Sequence, residues 1–330
     1  MVKHVFFVQS QITKLVAFAT IKYLALPRDS IVIVSYRKVD FYDGYSIVPC
    51  PFSHYPQESF LIHKKFWLGR KKLKNLDDYV QQITNNSEFK FYVPHTFYNH
   101  VELMLSHGKC QSFSLLEEGK TSFSRFGERT LITDTFPQNI LKRMNYGTRL
   151  KSVKQIFPDN YETAFRISDA AFPDFPRVQQ VKPYLVSATY DYEHIIVLDS
   201  IVEAGVVSIS DYLIALLRFI MIMLKRGIHK IHYKFHPDQQ PKTSRKLIIE
   251  LFKTFEDIEF IKIDKNIVLE EMAVNTSAKF YSAISSMLYY SRYLGSQAYS
   301  FVNLFPSSEK LDSYLKKQPE AFLKQLEYLT

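Results

Sequence analysis

Short apolar runs rich in β-branched residues alternate with helix-length segments along this chain, and the alternation occurs twice. In the first half HVFFVQ (4–9), SIVIVSY (30–36), KFYVPH (90–95) and QSFSLLEEG (111–119) read as strands. QITKLVAFATIKYLA (11–25) and FYNHVELMLSHG (97–108), the latter stopped by Gly108, read as helices between them. In the second half the order is HIIVLDS (194–200), a helix over 211–226, HKIHYKFHP (229–237), a helix from 241, IEFIKID (258–264), a short helix IVLEEMAV (267–274), AKFYSAISS (278–286) and SQAYSFV (296–302). Such alternation builds parallel sheets flanked by helices.

Between about 140 and 190 the pattern weakens, and IFPDNY, AFPDFPRV and VKPYL cluster prolines as a linker would. The fold class expected is therefore α/β, with two Rossmann-like domains facing one another across a cleft. Residues 1–185 form the acceptor-side domain with the catalytic base, 186–308 the donor-binding domain, and 309–330 a C-terminal helix that packs back on the first domain. In sheets of this kind ligands bind outside the carboxyl ends of the strands, so strand ends are where chemistry is sought.

With 330 residues, 46% of them apolar, the chain can bury a large core. Two cysteines, Cys50 and Cys110, make neither a disulfide framework nor a zinc pattern and point to a reducing compartment. The N-terminus MVKHVFFVQSQ lacks the apolar run of a signal peptide, so a cytoplasmic location is expected. DYLIALLRFIMIMLKRG (211–227) is short for a membrane span and carries Arg218 in its middle, which makes it a core helix. A formal charge of +9 calls for an acidic partner. The basic segment HKKFWLGRKKLK (63–74) suits an anionic glycan, peripheral contact with an anionic inner membrane face, or plain solvent. Nucleic acid is not expected, because the basic residues are not gathered on one recognition helix and no zinc-finger or RNP-like string occurs.

Three strand ends carry unusual residues. Glu117 and Glu118 follow an apolar run and precede Gly119; two adjacent carboxylates raise one another's pKa, which suits a general base but equally a solvated turn. His236 closes IHYKF, where Pro237 ends the strand, and an imidazole there can meet a phosphate oxygen. Ser285 and Ser286 stand between a strand and a helix, where hydroxyls and free amides make an anion site or a simple N-cap. Lys234, two residues before His236, shares its face of the strand, and His95 ends KFYVPH.

The acidic-acidic-Gly, His-Pro and Ser-Ser sequence resembles the bacterial sialyltransferases and polysialyltransferases, two-domain glycosyltransferases of the GT-B type, over roughly residues 110–305. That resemblance implies an inverting, metal-independent transfer of sialic acid or a related nonulosonic acid from a CMP-activated donor to a hydroxyl of a surface glycan, lipooligosaccharide or capsule. It implies no cofactor besides the CMP-sugar. Glu117, ahead of Glu118, would deprotonate the acceptor; His236, Ser285 and Ser286 would quiet the departing CMP phosphate, aided by Lys234, Gly119 and Pro237. Glu270, in NIVLEEMAV, matches a nucleotide-contacting glutamate of relatives, although Val268 stands where they carry proline, and His95 is an acceptor-side candidate. The alternatives are another cytidine-nucleotide transferase, for Kdo, pseudaminic or legionaminic acid, or glycerophosphate, and a nucleic-acid-binding protein.

Overall fold

The computed structural model describes residues 1–36, 44–45, 47–52, 65–124, 132–133, 135–151, 153–183, 191–236, 239, 243–264, 267–275 and 277–330. The chain divides into two compact units, Met1–Tyr184 and Leu185–Thr330.

The first unit carries β1 (Lys3–Val8), α1 (Gln11–Tyr23), β2 (Ile31–Ser35), β3 (Ile47–Pro49), α2 (Phe66–Ile83), β4 (Phe89–Val93), α3 (Asn99–Leu105) and β5 (Cys110–Leu116). There follow β6 (Ile132–Thr133), α4 (Phe136–Tyr146), β7 (Val153–Lys154), β8 (Ala164–Arg166) and β9 (Val178–Gln180). Its sheet runs β3-β2-β1-β4-β5-β8-β9 with every pairing parallel, while β6 and β7 form a small antiparallel pair. β1 lies inside the sheet, and Val5, Phe6, Phe7 and Val8 are buried whichever face they point to, as a central parallel strand requires. α1 starts at Ser10, whose hydroxyl accepts the Thr13 N–H at 3.1 Å, and is buried from Ile12 to Ile21.

The second unit carries β10 (His194–Leu198), α5 (Ile209–Lys225), β11 (Lys230–Phe235), α6 (Thr243–Lys253), β12 (Glu259–Lys262) and α7 (Leu269–Asn275). Beyond these lie β13 (Lys279–Ser282), α8 (Ser286–Tyr293), β14 (Gln297–Ser300), α9 (Glu309–Lys316) and α10 (Glu320–Leu323). Its sheet is β12-β11-β10-β13-β14, again parallel throughout. Numbered from its own first strand, the second sheet has the order 3-2-1-4-5, and the first begins with the same order before β8 and β9 extend it; in each the chain reverses its direction of travel between the first and fourth strands, β1 beside β4 and β10 beside β13. That reversal opens a crevice at the carboxyl edge, the place where doubly wound sheets take ligands.

α5 buries Tyr212, Ala215, Leu216, Phe219, Ile220 and Met223 along one stripe, as a helix on a sheet does. Among the described residues no helix is long and apolar enough to cross a membrane.

Two expectations need correction. The proline-rich stretch is not a linker along its length: β8 and β9 extend the first sheet, and Phe157, Tyr161, Phe172 and Phe175 pack as a buried aromatic cluster. The C-terminal segment is two short helices rather than one, because Pro319 withdraws a helical N–H and biases Gln318 away from helix; it belongs to the second unit, where Leu329 N–H donates to the Ser300 carbonyl at 2.8 Å. The basic segment, which the sequence shows only as a run of charge, lies mostly in an 18-residue helix, α2.

Candidate functional site

In the first unit the crevice between β1 and β4 is bordered by Gln9, which directly follows β1, and His95, two residues past the end of β4. Glu117 and Glu118 follow the neighbouring strand β5. The Gln9 amide donates to Glu118 Oε1 and lies 3.1 Å from His95 Nε2, which is itself 3.5 Å from Glu118 Oε2. The Phe97 N–H donates to His95 Nδ1 at 3.2 Å, and Nε2 is the nitrogen that faces Gln9 and Glu118. Burial pushes the His95 pKa down to about 4, so at neutral pH the ring is uncharged.

The two glutamates have different environments. Glu117 is fully buried, its Oε2 accepting the N–H groups of Ile167 (2.7 Å) and Ser168 (3.0 Å) and its Oε1 the Ser168 hydroxyl (2.6 Å). It binds the end of β5 to the turn after β8. Glu118 points to the other side, as successive residues of extended chain do. Its carboxylate is 18% exposed, and its N–H donates to Ser122 Oγ at 2.7 Å. This placement argues against Glu117 as the proton acceptor ranked first from sequence, since two backbone donors and a hydroxyl stabilise its charged form and no substrate hydroxyl reaches a buried oxygen. Gly119 turns the chain away with φ +51°, a conformation that glycine adopts without strain.

In the second unit the crevice between β10 and β13 is organised by Asp199, the residue directly after β10. Its Oδ2 accepts the Ser282 hydroxyl (2.8 Å) and the N–H groups of Ala283 (2.8 Å) and Ile284 (2.9 Å), and the residue is 5% exposed. The loop leaving β13 is therefore held against β10, and it delivers Ser285 as the N-cap of α8, its Oγ accepting the Met287 N–H at 3.2 Å. Ser286 begins the helix, and both serines are partly exposed. Gln239, also buried, donates to the Asp199 carbonyl at 2.8 Å and accepts the His236 N–H at 2.9 Å. His236 thus follows β11 directly at the same carboxyl edge as the serine pair, and Pro237 lies outside the described residues.

Lys234 reaches toward α7 from its place near the end of β11. Its ammonium donates to the Ile267 carbonyl just before α7, where burial pulls its pKa down while Glu270 and Asp264 oppose the shift. Glu270 is half-buried in the first turn of α7. Within this unit His236, Ser285 and Ser286 therefore share the carboxyl edge of the sheet, and Lys234 belongs to the α7 corner with Glu270. Within the first unit Glu118 and His95 come together, and Glu117 serves the backbone. Among the described residues no group of three or more His, Cys, Asp or Glu is placed to hold a metal.

Sequence reasoning overlooked Gln9, Asp199, Ser168 and Gln239. A signal existed for Asp199: HIIVLDS and KFYSA each end an apolar run on a polar residue able to bridge neighbouring strands.

No protein-family model matches the chain, and a search of curated proteins finds no match. Solved structures do resemble it in fold. A structure described as a Staphylococcus aureus MnaA–UDP co-structure superposes with a TM-score of 0.52 at 10% identity, covering 98% of this chain and 86% of the other. The Methanocaldococcus jannaschii UDP-GlcNAc 2-epimerase in complex with UDP-GlcNAc and UDP gives 0.52 at 12% identity, covering 90% and 83%. These likenesses establish the architecture: the chain has the GT-B type of α/β fold, two Rossmann-like parallel-sheet domains.

They also overturn the resemblance to sialyltransferases. These two neighbours hold UDP or UDP-GlcNAc, not a CMP-activated nonulosonic acid, and the other cytidine-nucleotide transferases proposed from sequence find no support among them. The physical reason lies in the motifs. Glu117 anchors a turn and Ser285 caps a helix, so both meet needs of the fold itself, and their order follows from the order of the strands.

Proposed function

We propose that this protein is an enzyme of sugar-nucleotide chemistry that binds a uridine diphosphate sugar on its second unit and uses Glu118 as a proton acceptor. The observation carrying this reading is the Asp199 carboxylate, whose three accepted hydrogen bonds fix the loop from Ser282 to Ser285 at the crevice of the second sheet. A diphosphate needs donors held in place before it arrives, because donors that must be ordered on binding weaken affinity. The Ser285 and Ser286 hydroxyls and the Ser286 N–H are such donors at the positive end of a helix. His236 adds an imidazole at the same edge, and the Glu270 carboxylate is suited to accept from ribose hydroxyls. The ligands in structures of the same fold, UDP and UDP-GlcNAc, support uridine as the base and an N-acetylhexosamine as the sugar.

Glu118 suits proton transfer because one oxygen is oriented by Gln9 and the carboxylate faces an uncharged His95, which neither neutralises it nor competes for its proton. Incubating the protein with UDP-GlcNAc in deuterium oxide tests the reading and separates its two chemical forms. Deuterium entering the sugar ring, followed by proton NMR, means abstraction from carbon and epimerisation. UDP release only when an acceptor sugar is added means transfer. Neither event, together with no binding of UDP, would reject the proposal.

A further inference from the structure

The function proposed above leaves the basic segment unused, yet the fold gives it a definite form. Trp67 and Leu68 are exposed on the first turn of α2, Trp67 by 55%. On α4, Phe136, Ile140 and Met144 recur every four residues, lie on one face, and are all exposed, Phe136 by 77%. The two helices are in close contact: Gly69 approaches Asn145 so nearly that a Cβ there would fall 2.1 Å from its Oδ1, and Arg70 Nε donates to the Met144 carbonyl at 3.3 Å. The apolar stripe of α4 therefore runs up to the first turns of α2.

Around the stripe Lys65, Arg70, Lys71, Lys74 and Arg143 are exposed and Lys72 is half-buried. Lys74 is paired with Asp78 at 2.7 Å, and no Asp or Glu occurs in residues 65–76 or 135–151 beside the other cations. The Lys65 ammonium lies 6.0 Å from the centre of the Trp67 ring, and the Arg70 guanidinium 5.4 Å from that of Phe66.

We propose that α2 and α4 form a docking surface for a lipid bilayer bearing anionic headgroups. An apolar patch rimmed by cations matches the boundary where acyl chains meet negative headgroups, and tryptophan favours that boundary. A protein partner fits less well, because protein interfaces are depleted in lysine. Nucleic acid fits less well too, since Leu68, Ile140 and Met144 have no phosphate or base edge to meet. Each cation near such a surface contributes about fivefold to partitioning, so the rim matters as much as the stripe.

Trp67 is the only tryptophan in these 330 residues, so the tryptophan emission of the chain reports on this patch alone. Titration with vesicles of phosphatidylcholine and phosphatidylglycerol in equal parts should shift the emission to the blue, with quenching when the acyl chains are brominated, and pure phosphatidylcholine should do so far less. K71Q/R143Q should weaken binding by about 25-fold, two such charge contributions, and F136S/I140S should abolish quenching, each with an unchanged far-ultraviolet circular dichroism spectrum. No shift on anionic vesicles, equal binding by K71Q/R143Q, or a shift with single-stranded DNA in place of vesicles would overturn the proposal.

Discussion

Adjacent glutamates with opposite surroundings give the sharpest contrast between residues. Glu117→Gln replaces an acceptor of three buried hydrogen bonds with an amide, whose NH2 meets a donor, so unfolding free energy should fall by about 2 kcal/mol or more, measured by urea titration. Glu118→Gln should leave the urea midpoint nearly unchanged and lower kcat on the UDP-sugar by about 100-fold or more. Equal effects of the two on stability would remove the distinction. His95 adds a pH signature. Its folded pKa is lowered, to about 4, below the usual 6.5, so the unfolded chain binds the proton more readily. The stability it confers is complete above 6.5 and is lost as pH falls from there toward 4, by up to about 3 kcal/mol. Urea midpoints at pH 7 and pH 4.5 should therefore diverge less in His95→Asn than in the parent protein. The sequence displayed the Glu-Glu-Gly triplet but not which carboxylate turns inward, because that depends on Ile167 and Ser168, some fifty residues on. Asp199 was hidden for the same reason, since its partners lie more than eighty residues away.

At the scale of elements, strands with β-branched apolar runs and helices with a plain stop were legible, as β1, β2, β10, α1 and α5 attest. What escaped were elements whose existence depends on neighbours. β8 and β9 are three residues each and gain their hydrogen bonds only when β8 joins β5 and β9 joins β8, and α2 looked like a run of charge because its buried residues are only Gly69, Leu76 and Val80. The Gly69 contact makes the α2–α4 packing testable. Gly69→Ala drives a methyl into the buried Asn145 side chain and should cost about 1–3 kcal/mol by thermal or urea unfolding. Gly69→Ala with Asn145→Ala should recover part of that loss; a double variant no more stable than the single would show that this contact does not set the packing.

For the whole molecule, the same device occurs once in each unit. A buried carboxylate just past one strand accepts two backbone N–H groups and a serine hydroxyl from the chain leaving the next strand of the sheet: Glu117 toward Ile167 and Ser168, Asp199 toward Ser282, Ala283 and Ile284. In the second unit the loop so fixed borders the crevice between the first and fourth strands, which is why the nucleotide is assigned there. Hydrogen exchange followed by mass spectrometry, with and without saturating UDP, tests that assignment. Amides from Ser282 to Tyr293 should gain protection with UDP and much less with CMP, and Asp199→Asn should remove the gain. Protection confined to the first unit, or equal protection by CMP, would contradict it.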